Sequence, residues 1–238
     1  MSDLHRYLRQ QKEQYGDSLY VDEDVLRKAA LAANGLTEVA GSVTEAWNAA
    51  GNLEGLKELI HDCQKCALGA TRNQFVFGVG NPEADVVLVG EAPGAEEDKT
   101  GEPFVGRAGK LLNQILEAVN FKREDVFICN ILKCRPPNNR DPLSTEVEQC
   151  EPYLHKQLEL LKPKVMLALG RISAQTLLRT NDSLTKLRAD VHSYHGIPLM
   201  VTYHPAALLR NPNWKRPTWE DVQKFRALYD ELCAKERT

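Results

Sequence analysis

The side chains in this sequence best suited to chemistry are a set of cysteines, an acidic glycine-rich stretch, one asparagine and one histidine. Cys63 and Cys66 form a C-x2-C pair; Cys134 and Cys150 follow far downstream with fifteen residues between them. A C-x2-C chelate joined by two remote thiolates suits either a structural zinc or an iron–sulfur cluster. The second pair is not a C-x2-C knuckle, which counts against a ribbon-type zinc site. Spacing alone does not choose the metal. Cys129, inside an apolar run, and Cys233, beside the apolar face of the last helical segment, read as small buried hydrophobes. The stretch GEAPGAEEDKTGEPFVGRAGKLL, residues 90–112, follows directly on the apolar run DVVLV. A plain strand-to-helix turn needs only about 2–6 residues. A loop this long, built of bends, carboxylates and one phenylalanine, predicts a binding site.

The elements that must position these groups follow from hydrophobic periodicity. Apolar runs at Val86–Val89, Val126–Leu132, Val165–Leu169 and Leu199–Tyr203 read as strands. Between and after them, Leu111, Leu112, Ile115, Leu116 and Val119 share a helical face, as do Val147, Leu154, Leu158 and Leu161. A closing helix uses Val222, Phe225, Tyr229 and Leu232. Continuous apolar strands alternating with helices predict an α/β fold, a four-stranded parallel sheet covered on both faces in three α/β/α layers. Ligands in such folds bind outside the carboxyl ends of the strands. There the sequence puts Gly90 and Glu91, then Asn130, then His204. A glycine turn with carboxylates, an amide and an imidazole thus converge on one sheet edge.

The rest of the chain is quieter. Residues 1–50, alanine-rich from Ala29 to Ala50 and broken by Gly35 and Gly41, read as a helical N-terminal extension with a linker; residues 51–238 read as the chemical domain. At 238 residues, with 42% apolar and 26% charged side chains, the composition is that of an ordinary globular protein. A net charge of −3 neither requires nor excludes nucleic acid, because a local basic patch suffices. No apolar run reaches the roughly 18 residues of a membrane helix, and the polar start lacks a signal peptide's apolar core. A cytoplasmic monomer is expected, and structural disulfides are not.

With these features assembled, the chain resembles the family-4 uracil-DNA glycosylases, the iron–sulfur branch of that superfamily. The likeness rests on GEAPGAEEDKTGEPFVGRAGKLL, on NILKCRPPNNR with Cys150 downstream, and on VTYHPAALLRNP, and covers roughly residues 53–236. It implies excision of uracil from DNA and a [4Fe–4S] cluster on Cys63, Cys66, Cys134 and Cys150. It makes Gly90, Glu91 and Ala92 the pocket floor and Phe104 the stacking surface for the base. Asn130 would read the Watson–Crick edge, and His204 would stabilise the charge on the departing uracil.

The water-activating group is less determined. Several relatives carry Asp or Asn before the proline of the first motif, where this chain has Ala92. Glu91 is then the nearest candidate and Glu97 the second; Glu97 could also line the C5 side of the base, while Glu96 and Asp98 are expected to face solvent. Leu208 and Leu209 are candidates for the wedge that fills the vacated stack. Arg210, Arg135 and Arg140, with Lys215 and Arg216, are candidates for phosphate contacts. RPPNNRDP lacks the basic loop ending in histidine that traps the sugar in one branch of the superfamily, so turnover is expected. Two rivals are a catalytically idle uracil-sensing scaffold that docks to replication proteins through residues 1–50, and an electron-transfer protein. The joint presence of Glu91, Phe104, Asn130 and His204 argues against the first, and the absence of an evident redox partner against the second.

Overall fold

The computed structural model describes residues 45–235. The expected N-terminal helical extension falls on residues 1–44, outside the described residues. Residues 45–50, placed by sequence in that extension, pack on the domain instead: the Trp47 ring meets Tyr153 edge-on at 5.0 Å, and Glu45 pairs with Lys65.

The chain runs through helices α1 (Leu53–Ile60) and α2 (Leu68–Thr71), strands β1 (Val79–Gly80) and β2 (Val86–Gly90), and helices α3 (Ala95–Thr100) and α4 (Arg107–Ala118). It continues with β3 (Phe127–Asn130), α5 (Ser144–Leu161), β4 (Val165–Leu169), α6 (Arg171–Leu178) and α7 (Leu184–Leu187). β5 (His192–Tyr194), β6 (Ile197–Thr202), α8 (Pro205–Arg210) and α9 (Lys215–Lys235) complete it. No helix among the described residues is long and apolar enough to cross a membrane.

The sheet has six strands in the order β1-β3-β2-β4-β6-β5, which corrects the four-stranded, all-parallel expectation. The four anticipated strands are the parallel centre; β1 and β5 add antiparallel edges. Both edges are short, which hides them from periodicity. β5 and β6 turn on His195 and Gly196, whose φ of 50° and 83° fit a primed hairpin turn.

Side chains alternate across the pleat, so each central strand feeds two cores. Val87, Val89, Cys129, Met166, Ala168 and Val201 pack on one face with Leu56 of α1 and Tyr153, Leu154 and Leu158 of α5. Val86, Leu88, Ile128, Val165, Leu167 and Met200 pack on the other with Leu112 and Leu116 of α4 and Val222 and Phe225 of α9. Burial on both sides explains why the strands read as unbroken apolar runs.

A buried ion pair fixes the end of β6. Asp221 of α9 accepts from Arg188 through both oxygens (2.6 and 2.8 Å) and from the Thr202 hydroxyl at 2.6 Å. Thr202 is the last residue of β6, two before His204. Breaking a buried pair by removing one partner leaves an uncompensated charge and costs about 3–5 kcal/mol. Asp221→Ala should therefore lower the unfolding free energy by about 3–5 kcal/mol in denaturant titrations; a loss below about 1 kcal/mol would mean that water replaces the carboxylate.

Candidate active site

The sheet register brings the sequence-predicted groups together. In the parallel β2–β3 ladder Gly90 pairs with Asn130, and the next amides continue it, Ile131 N–H to Gly90 O and Leu132 N–H to Glu91 O, each at 3.0 Å. On the neighbouring pair, Gly170 N–H donates to Thr202 O at 2.8 Å, which sets the exit of β4 beside the exit of β6. All four parallel strands thus end at one edge, under a cleft of about 750 Å³. Glu91, Glu97, Phe104, Asn130, His204 and Arg210 line it, with Ala92 among the floor residues.

Gly90 is glycine for a packing reason. A Cβ there would lie 2.3 Å from Asn130 Oδ1 and 2.9 Å from the Phe104 ring. The amide and the ring therefore close on one bare Cα. Asn130 is 2% exposed, yet its carboxamide makes no hydrogen bond to any described residue. No side-chain polar atom shut off from solvent among the described residues lacks a partner, so these amide atoms open onto the cleft. The carboxamide lines the cleft with its donors and acceptor uncommitted.

Phe104 is buried with φ 55°, a left-handed backbone uncommon for an aromatic residue. Glu97 holds that turn. Its Oε1 accepts from Val105 N–H (3.1 Å) and Gly106 N–H (3.2 Å), and its Oε2 accepts from Gly94 N–H (3.1 Å). Both oxygens are engaged on backbone, so Glu97 stitches the two ends of the loop together. Asp98, expected to face solvent, is instead 2% exposed and accepts from Asn73 N–H (2.9 Å) and from the Asn73 amide (2.5 Å). The cause is position: Asp98 sits on the inner face of a one-turn helix that must be tied to the chain before β1. Glu96 is exposed as expected.

His204 caps α8, and its Nδ1 accepts from Ala206 N–H at 3.2 Å. An accepting Nδ1 puts the proton of the neutral ring on Nε2, leaving an N–H donor for the cleft. Burial, reinforced by the Arg210 charge and opposed by Glu97, pushes the pKa of His204 down to about 4. The ring is therefore neutral at physiological pH. Its ring centroid lies 5.4 Å from that of Phe104, and a Cβ on Gly170 would come within 2.9 Å of His204 Cβ. Glu91 has the opposite perturbation: burial, with Asp141 adding and Arg171 opposing, raises its pKa to about 7. A carboxyl poised there can take or release a proton near neutrality.

The residues assigned to DNA contact divide. Leu209 is 39% exposed, but Leu208 is buried at 2% and its side chain is part of the packing beneath α8, so a wedge made by Leu208 does not fit this conformation. Arg210 is exposed at the cleft and makes no hydrogen bond or ion pair with the described residues. Arg140 is held by both oxygens of Glu146 (2.9 and 2.6 Å), and Arg135 donates to Asn139 Oδ1 at 2.8 Å. Arg171, Tyr203 and Trp214 also line the cleft. Applying the strand-end rule to the run that ends at Leu169 would have flagged Arg171.

The four cysteines meet away from the cleft. Cys63, Cys66, Cys134 and Cys150 line one cavity with Leu68, Gly69, Phe75 and Leu132. Gly69 is needed for that loop, because a Cβ would lie 2.7 Å from Gln64 Oε1 and 2.8 Å from Cys63 O. Donors face the sulfurs: Lys133 N–H to Cys150 (3.2 Å), Tyr153 OH to Cys63 (3.2 Å) and Arg72 to Cys134 (3.5 Å). Lys133 is fully buried with only neutral oxygens as partners, Asn130 O at 2.8 Å and Gln157 Oε1 at 2.6 Å. Burial lowers the pKa of Lys133, with Cys129, Cys150 and Cys134 opposing, so its ammonium form calls for a net anion nearby, which four thiolates around a metal group would provide. Burial raises the pKa values of the free thiols, Cys134 to about 11 and Cys150 to about 12. Only a bound cation would keep them as thiolates. Among the described residues, no group of three or more His, Cys, Asp or Glu side chains is gathered around a single ion position.

Cys129 is buried in β3, as expected, and Cys233 is partly buried.

The comparisons with known proteins agree with this geometry. The family model of the uracil DNA glycosylase superfamily matches residues 77–225. The type-4 uracil-DNA glycosylase of Archaeoglobus fulgidus is 42% identical over 196 residues, covering 78% of this chain and 96% of the relative. That of Sulfurisphaera tokodaii is 45% identical over 186 residues, 74% of this chain and 84% of the relative. That of Thermotoga maritima is 41% identical over 179 residues, 74% of this chain and 93% of the relative. An amide that opens on the cleft with no hydrogen-bond partner among the described residues shares its lining with a neutral imidazole inside the matched segment, and the chain belongs to the uracil DNA glycosylase superfamily.

Proposed function

We propose that this protein is a DNA-repair glycosylase that draws a uracil nucleotide out of the stack, hydrolyses its N-glycosidic bond and leaves an abasic site. The observation that carries this reading is Asn130: a carboxamide 2% exposed, uncommitted and facing a cleft. Uracil presents O4 as an acceptor and N3–H as a donor, which one amide can satisfy together. Cytosine presents the reverse. The Phe104 ring offers a face for the base, with Gly90 and Ala92 beneath.

When the bond between the sugar and N1 breaks, its electron pair leaves with uracil and negative charge builds on O2. The Nε2–H of neutral His204 is the donor for that oxygen, an oxyanion-hole role in which no proton need be transferred. Water then adds to the sugar, and its proton goes to Glu91, the carboxyl poised near neutral pH. Glu97 lines the cleft wall and holds Phe104 in place, so its contribution is to position the ring. Arg210 and exposed Leu209 are assigned to the phosphate backbone and the vacated stack. We assign the activity to residues 51–238.

The same reading gives Cys63, Cys66, Cys134 and Cys150 a [4Fe–4S] cluster, supported by the four thiols around one cavity and by the cations Lys133 and Arg72 beside them. When bound, the cluster would cross-link α1–α2 to the loop after β3 and supply no step of the hydrolysis. The purified protein should be brown and hold about four irons per chain. Cys150→Ser should lose the visible absorbance and much of the soluble yield, because metal binding is coupled to folding, whereas Cys233→Ser should keep both. A colourless, folded protein with one zinc would contradict the assignment.

The function is tested by incubating the protein with oligonucleotides bearing uracil, hypoxanthine, xanthine or thymine and cleaving abasic sites with alkali. Strand scission of the uracil oligonucleotide no greater than that of undamaged controls would end the proposal. In single turnovers on uracil, the rate should rise with pH to a midpoint near 7, as Glu91 loses its proton, and then level off. His204, with its pKa near 4, should add no inflection around 6.5. Glu91→Gln should flatten the profile; persistence of the limb near pH 7 would remove Glu91 from the role of base.

A further inference from the structure

The cleft is larger than one pyrimidine ring requires, and one feature of its rim has no part in the chemistry above. Trp214 closes the turn Pro212–Trp214 and lines the same cleft as Asn130 and His204. Its indole lies on the Tyr203 ring at 4.9 Å and 11° from parallel. The guanidinium of Arg188 lies 4.4 Å from the Tyr203 centroid and is itself locked by Asp221 and by Pro217 O at 3.0 Å. These three groups form a guanidinium–phenol–indole column anchored in the core by a buried ion pair. The turn is equally fixed: Asn211 Oδ1 accepts from Asn213 N–H at 3.2 Å, and Trp214 O accepts from the Thr218 hydroxyl at 2.8 Å. The indole is nevertheless 37% exposed. A large aromatic surface held rigidly and left open costs no ordering when a second ring covers it.

Position names the ring. Tyr203 immediately precedes His204, so the column rises beside the residue assigned to uracil O2. Arg210, an exposed cation, lines the same cleft, and Lys215 and Arg216 follow Trp214 directly, Arg216 paired with Glu220 at 3.4 Å on exposed helix surface. An aromatic face among backbone-binding cations is the pattern with which proteins hold unpaired bases.

We propose that Trp214 is a stacking platform for the nucleobase next to the flipped uracil, so that the enzyme grips two consecutive bases, one in the pocket and one on the rim. The proposal rests on the uracil-excision reading and adds a second base subsite to it. The platform is sequence-tolerant, because every base offers a π-face, and it favours single-stranded or frayed DNA, whose flanking bases are free to leave their own stack.

The test uses the full-length protein and single-stranded oligonucleotides with one uracil, flanked by ordinary nucleotides or by a base-less tetrahydrofuran residue on the 5′ or the 3′ side. Removing the base on one side should raise the half-saturating concentration in single turnovers by about 5–150-fold, the range of one base–aromatic stack. Trp214→Ala should raise it by a similar factor on the intact oligonucleotide, with the loss in half-saturation exceeding that in maximal rate, and should be indifferent to removal of that same base. Trp214→Phe should recover most of the loss. If the parental protein excises uracil but tolerates loss of either flanking base, or if Trp214→Ala remains sensitive to it, the platform is refuted while the glycosylase reading stands. If the parental protein excises no uracil from any oligonucleotide, the glycosylase reading itself fails. Poor folding of Trp214→Ala, visible by circular dichroism, would leave the flanking-base series on the parental protein as the deciding measurement.

Discussion

The site depends on one pairing, Gly90 against Asn130 across the parallel β2–β3 ladder. A one-residue slip in either strand would turn the amide to the opposite face of the sheet. In the observed register the amide oxygen and the Phe104 ring occupy the space where a side chain on residue 90 would stand. The absence of a Cβ is therefore what lets an amide and an aromatic ring share one floor. Other constraints extend from that contact. Glu97 holds the left-handed turn at Phe104, Gly170 leaves room for His204, and the Arg188–Asp221–Thr202 network fixes the strand that delivers His204.

A second dependence links the cleft to the cysteines. Lys133 sends its ammonium to the carbonyl of Asn130 and its backbone N–H to Cys150 sulfur, within the segment that also supplies Cys134. Asn130 and Cys134 thus belong to one short, buried run at the end of β3. Whatever holds the sulfurs in place also limits how far Asn130 can drift, and placement errors of about 1 Å are costly to catalysis. The electrostatics of the cleft point the same way. Burial keeps His204 neutral and Glu91 partly protonated, so neither of these two residues brings a full formal charge to the cleft before charge develops on a departing base.

Much of this was legible in the sequence. Four apolar runs became the four parallel strands, because strands buried on both faces cannot hide their composition. The strand-end rule put Glu91, Asn130 and His204 at one edge before any likeness was considered. The edge strands escaped because two or three residues carry no periodicity, although the dipeptide His195-Gly196 is a hairpin signal. The burial of Asp98 is not legible in the sequence because a helix of six residues has no reliable face. Leu208 and Leu209 were indistinguishable as letters and differ only in which side of α8 meets the core. Trp214 is silent in the sequence because its meaning lies in a contact with Tyr203, eleven positions away, that no local pattern encodes.

The central claim is that the uncommitted carboxamide of Asn130 reads the base, and Asn130→Asp tests it most directly. The ionised carboxylate has the shape of the amide but no donor, so it faces uracil O4 with repulsion in place of a hydrogen bond. Sites built on such bonds discriminate by about 10⁴–10⁵. The account predicts that the single-turnover rate of uracil excision falls by at least about 100-fold, while the variant stays folded and binds DNA containing an abasic site like the parent. A variant that binds abasic DNA normally and excises uracil at close to the parental rate would contradict it.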